Sequence, residues 1–198
     1  MIDTRSFDPR DPAHVDGLAA LFAAAACPCY CRYWHFSGDK NAWQERCFVD
    51  EGRNEAELRE AAAGGSDEAA GVVAFAGGEL VGWAKVAPSA VVKKFYEQRY
   101  YRGLTVLKGR PAEGVFVVGC LLVHPGHRRG RVGHALVSEA VRHAQARGAR
   151  VLEAFPRRTA GAVSDEEHWM GPEGAFVEAG FSAVEATPPY PVYRVELG

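Results

Sequence analysis

No stretch of this sequence is both long and apolar enough to cross a bilayer. Its longest apolar run, Leu18 to Cys27, falls well short of the roughly 20 helical residues that a span requires. The first residues, Met1-Ile2-Asp3-Thr4-Arg5, lack the basic-then-apolar layout of a secretion signal. Cysteine is scarce, and its five residues are odd in number and unevenly spaced, which argues against a secreted disulfide framework. There is no internal repeat and no low-complexity tract, so neither a solenoid nor a disordered chain fits. Net charge is only −2, and the one arginine-rich stretch has no interleaved aromatic platform, too small a footprint for nucleic acid. These absences predict a soluble cytoplasmic protein, monomer or homodimer, with neither a membrane nor a nucleic acid as partner.

What is present is ordinary globular material, 47% hydrophobic and 24% charged. A chain of 198 residues suits one domain over residues 1–198, burying roughly 70% of its unfolded surface, and is short for two.

The most informative stretch runs from Val115 to Ala146. Val115 to Val123 is apolar at both parities, as in a strand covered on both faces. A tight basic loop follows, His124-Pro125-Gly126-His127-Arg128-Arg129-Gly130. From Arg131 onward, Val132, Leu136, Val137, Ala140, Val141 and Ala144 form one helical stripe, and Gly148 supplies the stop. The first turn of a helix carries unpartnered N–H groups and a partial positive charge. Gly130 and Gly133 would let an anion approach the backbone, and Arg128, Arg129 and Arg131 add mobile charge. Between His124 and Arg150 there are six Arg against one Glu, a local +5 on a chain whose remainder sums to −7. Such an asymmetry points to a local phosphate site.

The rest of the chain alternates helices and strands. Residues 1 to 7 read as a weak first strand. Asp11-Pro12 opens a helix, as N-cap and first helical residue, which Pro28 ends. A second helix is predicted over roughly Asn41 to Ala63, anchored by Trp43, Cys47, Phe48 and Leu58. Val72 to Ala76 and Leu80 to Val86, joined by Gly77-Gly78, read as a hairpin. Ser89 to Arg102 is a short helix or an irregular crossing. Val151 to Phe155 is a buried strand, parallel to the central one if the helix between is a crossover. Residues 157 to 171 read as an exposed loop, Pro172 to Ala179 as a helix ended by Gly180, and Phe181 to Ala186 and Tyr193 to Leu197 as the last strands. The layout is α/β with a mixed sheet.

The segment Val123-His124-Pro125-Gly126-His127-Arg128-Arg129-Gly130-Arg131-Val132-Gly133-His134-Ala135-Leu136 resembles the acyl-CoA signature of the GNAT superfamily of N-acetyltransferases. That signature runs strand, Pro, Arg/Gln-x-x-Gly-x-Gly/Ala, helix. One position departs from it: Arg131 stands where the middle glycine belongs, with Gly130 one place upstream. Ala175-Phe176-Val177-Glu178-Ala179-Gly180-Phe181 resembles the family's last helix. Cys29-x-Cys31-x-Tyr33-Trp34, with Gly82 to Pro88, is similar to a bacterial branch of the superfamily.

The resemblance implies a GNAT-like mixed β-sheet flanked by helices on both faces. It also implies an acetyl-CoA-dependent N-acetyltransferase, moving an acetyl group to a primary amine of a small-molecule acceptor by direct attack, with no metal. In that family the main chain of the central strand holds the pantetheine and offers an N–H to the thioester oxygen, a role that falls here to Leu121, Leu122 and Val123. The pyrophosphate falls to Arg128, Arg129, Gly130, Arg131, Val132 and Gly133. The family tyrosine that protonates the leaving thiolate aligns with Phe176, which cannot donate a proton. Another reading of the same features is a non-catalytic acyl-CoA-binding protein.

Among side chains, Glu153 is the candidate base, the only carboxylate in an apolar strand, where burial would raise its pKa. A carboxylate facing water, or one paired with an arginine, fits the same pattern. Cys29, Tyr30, Trp34 and Tyr96 are candidates for the acceptor pocket. Cys27, Cys29, Cys31 and His35 have the donor types of a zinc site, but their alternate-residue spacing is unlike the usual knuckle. A thiol activated by Arg32 and His35, or a plain pocket lining, fits as well.

Overall fold

The structure is a computed structural model and describes residues 1–50, 52–158, 161, 164 and 168–198. Seven strands form one mixed sheet: β1 (Ile2–Ser6), β2 (Gly71–Ala76), β3 (Glu79–Pro88), β4 (Val115–Val123), β5 (Val151–Ala154), β6 (Ser182–Glu185) and β7 (Val192–Glu196). Their order across the sheet is β1-β2-β3-β4-β5-β7-β6. Only β4 and β5 are parallel, and the other neighbours are antiparallel. The helices are α1 (Pro12–Ala24), α2 (Lys40–Phe48), α3 (Arg53–Ala63), α4 (Lys94–Glu97), α5 (Val132–Ala146) and α6 (Glu173–Glu178). None among the described residues is long and apolar enough to cross a membrane.

The β2–β3 hairpin turns through Gly77 (φ +60°) and Gly78 (φ +89°), the left-handed pair that a two-residue turn between twisted strands requires. Helix α5 connects β4 to its parallel neighbour and lies on one face of the sheet. Its Val132, Leu136, Val137, Ala140 and Ala144 pack there with Phe176 of α6 and Phe181. Gly82 of β3 permits this close approach, because a Cβ at that position would lie 2.8 Å from Val132 Cγ1 and 3.0 Å from Leu136 Cδ1. The opposite face carries two further clusters. One joins Leu18, Leu21 and Phe22 of α1 to Leu58 of α3 and Trp83 of β3. The other joins Trp34, Phe95, Tyr96, Tyr101 and Phe155. Helices thus cover both faces of an α/β mixed sheet.

A bulge in β4 positions the site. Lys85 pairs with Cys120 and Val86 with Val118, so Gly119 is an extra residue. The side-chain alternation slips by one there: Phe116, Val118 and Leu121 share the α5 face, while Val117 and Cys120 share the other.

Two helical segments differ from the sequence expectation. Helix α1 stops at Ala24, ahead of Pro28, because Ala26 turns left-handed at φ +48°. The helix predicted over Asn41 to Ala63 is two helices, split where Gly52 adopts φ +85°. Phe48, expected as an anchor, is 71% exposed at the end of α2, whereas Cys47 and Leu58 are buried. Ser89 to Arg102 is, as expected, a short irregular crossing: a single turn at Ser89–Val92 followed by the four-residue α4.

Candidate active site

Strands β4 and β5 pair only from Val115↔Val151 to Val118↔Ala154. Past Ala154 the chain runs into Phe155-Pro156, and Pro156 has no N–H to continue the ladder. The carboxyl half of β4, Gly119 to Val123, therefore presents an edge without a β5 partner. The N–H of Leu121 leaves the ladder on this side and donates to the carbonyl of Trp169 at 2.7 Å. Leu122 pairs in register with Trp83 on the β3 side, so by the alternation of an antiparallel ladder its N–H faces β3. Leu121 and Val123 consequently offer main chain to the open edge, and Leu122 does not.

At the far end of that edge stands the arginine loop. Pro125–His127 form one tight turn, with His127 N–H donating to His124 O at 2.8 Å and Gly126 N–H to His124 Nδ1 at 3.1 Å. Arg129 (φ +60°) and Arg131 (φ +63°) are both left-handed and straddle Gly130. Alternating hands of this kind turn successive N–H groups toward a common point, a concavity that favours anions. Among the described residues, no backbone N–H from Arg129 to His134 has a protein acceptor. Arg131 is the N-cap of α5, so at the position where the signature has a glycine the arginine itself takes a left-handed conformation. Its guanidinium is paired with Glu178 of α6. Arg128 is half-buried, its Nε 3.4 Å from the carbonyl of Val123. Arg129 and Gly130 are exposed, Val132 is buried, and Gly133 is half-buried beside Leu121 and Pro172.

At the near end lies a cavity of about 390 Å³ lined by Cys29, Tyr33, Trp34, Trp43, Trp169 and Tyr190, among others, with Arg157 at its wall. Trp34 stacks on Phe95 with ring centroids 3.6 Å apart and donates its indole N–H to Gly119 O at 2.8 Å. Of the four residues expected in the acceptor pocket, the structure brings Cys29 and Trp34 together here and separates the other two. Tyr30, at φ +44°, turns the other way, stacks on Phe22 at 4.7 Å and donates to Glu55 at 3.2 Å, lining a separate cavity with Cys27. Tyr96 lines another cavity, with Tyr101 and Arg110, and its hydroxyl donates to Glu153 at 2.8 Å. Sequence reasoning did not find Trp169 or Tyr190; both come from distant segments with no periodicity to mark them.

Glu153 has no exposed surface. Its Oε2 accepts from Tyr96 at 2.8 Å, and its Oε1 accepts from Arg110 Nε at 3.0 Å and Arg194 Nη2 at 2.6 Å. This is the arginine-paired arrangement that the sequence left open beside the base. Burial, reinforced by the adjacent carboxylate charge, pushes the Tyr96 phenol far above its ordinary range. Phe176 is wholly buried against Phe181, at 5.3 Å between centroids.

The cysteine-rich segment holds two half-buried residues, Cys27 and Cys29, and a buried Cys31 that accepts from the Trp83 indole at 3.4 Å. Nearby, burial pushes the Lys85 ammonium down to about 8, and its Nζ donates to Glu68 O at 2.5 Å. Among the described residues, no group of three or more His, Cys, Asp or Glu side chains is arranged to hold a metal ion.

A sheet that opens beside a bulged central strand, followed by a left-handed arginine loop at a helix start, forms one edge shaped for an extended ligand that ends in an anion. The Acetyltransferase (GNAT) family model matches residues 31–163, and the chain belongs to that family. Solved structures share the fold at low identity. An acetyltransferase of the GNAT family from Streptococcus pneumoniae is 13% identical over 100% of both chains, with TM-score 0.56. The PaiA N-acetyltransferase of Thermoplasma acidophilum, in complex with coenzyme A, is 11% identical over 99% of both chains, with TM-score 0.55. A GNAT family acetyltransferase from Brucella melitensis, in complex with acetyl-CoA, is 15% identical over 100% of this chain and 89% of that chain, with TM-score 0.51. No curated protein matches the sequence.

Proposed function

We propose that residues 1–198 act as one acetyltransferase domain that moves an acetyl group from acetyl-CoA to a primary amine of a small-molecule acceptor. The observation that carries this reading is the position of one strand edge. Gly119 to Val123 runs from the aromatic cavity at one end to the arginine loop at the other. A thioester laid along it has its pyrophosphate at residues 128 to 133 and its acyl carbon at the mouth of the cavity. The coenzyme A and acetyl-CoA complexes of two proteins with this fold support the choice of co-substrate.

In this reading Leu121 N–H exchanges the Trp169 carbonyl for the pantetheine arm. A main-chain N–H near the bulge polarises the thioester oxygen, and such preorganised donors are the largest single contribution in acyl transfer. The amine attacks the acyl carbon directly; a C–N bond forms, the C–S bond breaks, and coenzyme A leaves as a thiolate that takes up a proton. Glu153 is assigned to holding β5, β7 and the Arg110 segment together, because both its oxygens are already occupied. The acceptor's ammonium gives one proton to water before it attacks as the free amine, and the nitrogen gives up a second as the amide forms. No Asp or Glu lines the aromatic cavity among the described residues, which suits a partly apolar amine better than a polycation.

Phe176 favours a second reading, a non-catalytic acyl-CoA-binding protein, since a buried phenyl ring stands where the family tyrosine protonates the thiolate. One experiment separates the two: thiol release from acetyl-CoA across a panel of amines, amino acids and peptide amino termini, alongside calorimetry with coenzyme A. Binding with turnover of a small amine supports the transferase. Binding without turnover supports the second reading, and absence of binding removes both.

A further inference from the structure

Cys27 and Cys29 form a pair to which the acyl-transfer reading gives no chemical step, although Cys29 lines its acceptor cavity. Their sulfurs are 3.4 Å apart, across Pro28, in a chain whose five cysteines are all free thiols. A disulfide needs about 2.05 Å, so closure asks for a movement of less than about 1.5 Å. The surrounding backbone is already shaped for the approach. Ala26 (φ +48°), Tyr30 (φ +44°) and Cys31 (φ +55°) are left-handed without being glycine, an unusual density of strained residues around one tripeptide. Cys27 and Cys29 are half-buried as residues, whereas Cys31, Cys47 and Cys120 are buried. The two face different spaces: Cys27 lines a cavity of about 520 Å³ with Phe22, Tyr30 and Cys47, and Cys29 lines the aromatic cavity.

We infer that Cys27-Pro28-Cys29 is a thiol–disulfide exchange site whose co-substrate is a low-molecular-weight disulfide. The hydrogen bond between the two thiols, the largest influence on each, lowers Cys27 to about 7 and, together with burial, raises Cys29 well above its ordinary value. Cys27, which opens on the larger of the two cavities, is the attacking thiolate, and Cys29 is the resolving thiol. Cys27 thiolate attacks one sulfur of the external disulfide, the external S–S bond breaks, and one small thiolate departs and takes up a proton. Cys29 then loses its proton to solvent and attacks Cys27 Sγ, expelling the second small thiolate. Two protein thiols are oxidised, and one external disulfide is reduced to two thiols. The inference does not rest on the acetyltransferase reading.

The test uses the full chain and oxidised glutathione. The expected product has lost two hydrogens, carries no glutathione, and retains three of its five thiols after denaturation, with peptide mapping linking Cys27 to Cys29. Cys29→Ser should stop at a mixed disulfide on Cys27. Cys27→Ser should react more slowly by on the order of tenfold, reflecting the lower thiolate fraction of an ordinary thiol. Both variants replace half-buried residues, and their far-ultraviolet dichroism reports whether they fold. Five thiols remaining in the wild type, a stable adduct on each cysteine independently, or a disulfide between Cys31 and Cys120 would each overturn the inference.

Discussion

The indole N–H of Trp34 and the carbonyl of Gly119 meet at 2.8 Å and lock the aromatic cavity to the bulge in β4. The bulged residue cannot place its carbonyl in the β3 ladder, and Trp34 takes its place as donor. Cavity and strand edge are thereby one rigid unit.

Trp34→Phe keeps a ring to stack on Phe95 but leaves the Gly119 carbonyl without its donor. A buried acceptor left unpaired costs about 1–3 kcal/mol, so thermal denaturation should show a loss of that order. An unchanged melting temperature would show that water replaces the indole and that the unit is looser than the geometry states.

The fold was legible where one local pattern decided it. The doubly apolar run from Val115 to Val123, the arginine loop and the stripe on α5 all lie within about thirty consecutive residues, and period and charge identify them. Legibility failed where a single dihedral angle or a distant partner decided the outcome. A 3.6-residue pattern cannot show that Gly52 breaks one helix into two. Nor can neighbouring aromatics reveal that Tyr30 turns out of the cavity that Cys29 lines. Glu153 stood out as an isolated carboxylate, but its partners Arg110 and Arg194 lie 43 and 41 residues away in sequence, so only the fold could pair them.

Arg131 occupies a left-handed conformation at the first turn of α5, with φ +63°. If the backbone shape and not the guanidinium is what the position supplies, Arg131→Gly should bind coenzyme A at least as tightly as the wild type. Arg131→Val should bind more weakly, because a β-branched residue resists positive φ at a cost of about 1–3 kcal/mol. Calorimetry distinguishes this from a charge effect, in which the glycine and valine variants would weaken equally.

Two imidazoles are held neutral by burial. His143, beside Ser6 at 2.8 Å, is pushed down to about 4, and His35 to about 2, from an ordinary value of 6.5. As pH falls through 6.5 the unfolded chain takes up protons at these positions while the folded chain does not, so stability falls with decreasing pH. Each imidazole adds a slope of about 1 kcal/mol per pH unit between about 6 and 5, before carboxylates contribute heavily. Denaturant titrations should show the decline, and His143→Gln should flatten it by about half. A wild-type stability independent of pH over that interval would contradict the burial of both rings.

Glu153 and Arg194 stand directly opposite one another on β5 and β7, and Arg110 adds a second guanidinium to the same oxygen. Desolvating a carboxylate is costly, and here the cost is offset by two arginines and the Tyr96 hydroxyl. Glu153→Gln keeps the shape but removes the charge that both guanidiniums face. Breaking a buried pair by removing one partner typically costs about 3–5 kcal/mol, which for a chain of this size lowers the melting temperature by roughly 6–20 °C. Tyr96→Phe should cost less, about 1.5–3 kcal/mol, since it removes one hydrogen bond to a charged acceptor. A proton acceptor behaves differently. Its replacement by glutamine lowers kcat by about 10²–10⁴ and abolishes the acidic limb of the pH–rate profile, with little change in stability. The two signatures can be read on the same variant, by calorimetric melting and by rate measurements well below the transition. The geometry predicts the first: a large drop in melting temperature with the acidic limb retained. A variant that melts like the wild type but loses the acidic limb would return Glu153 to the reaction itself.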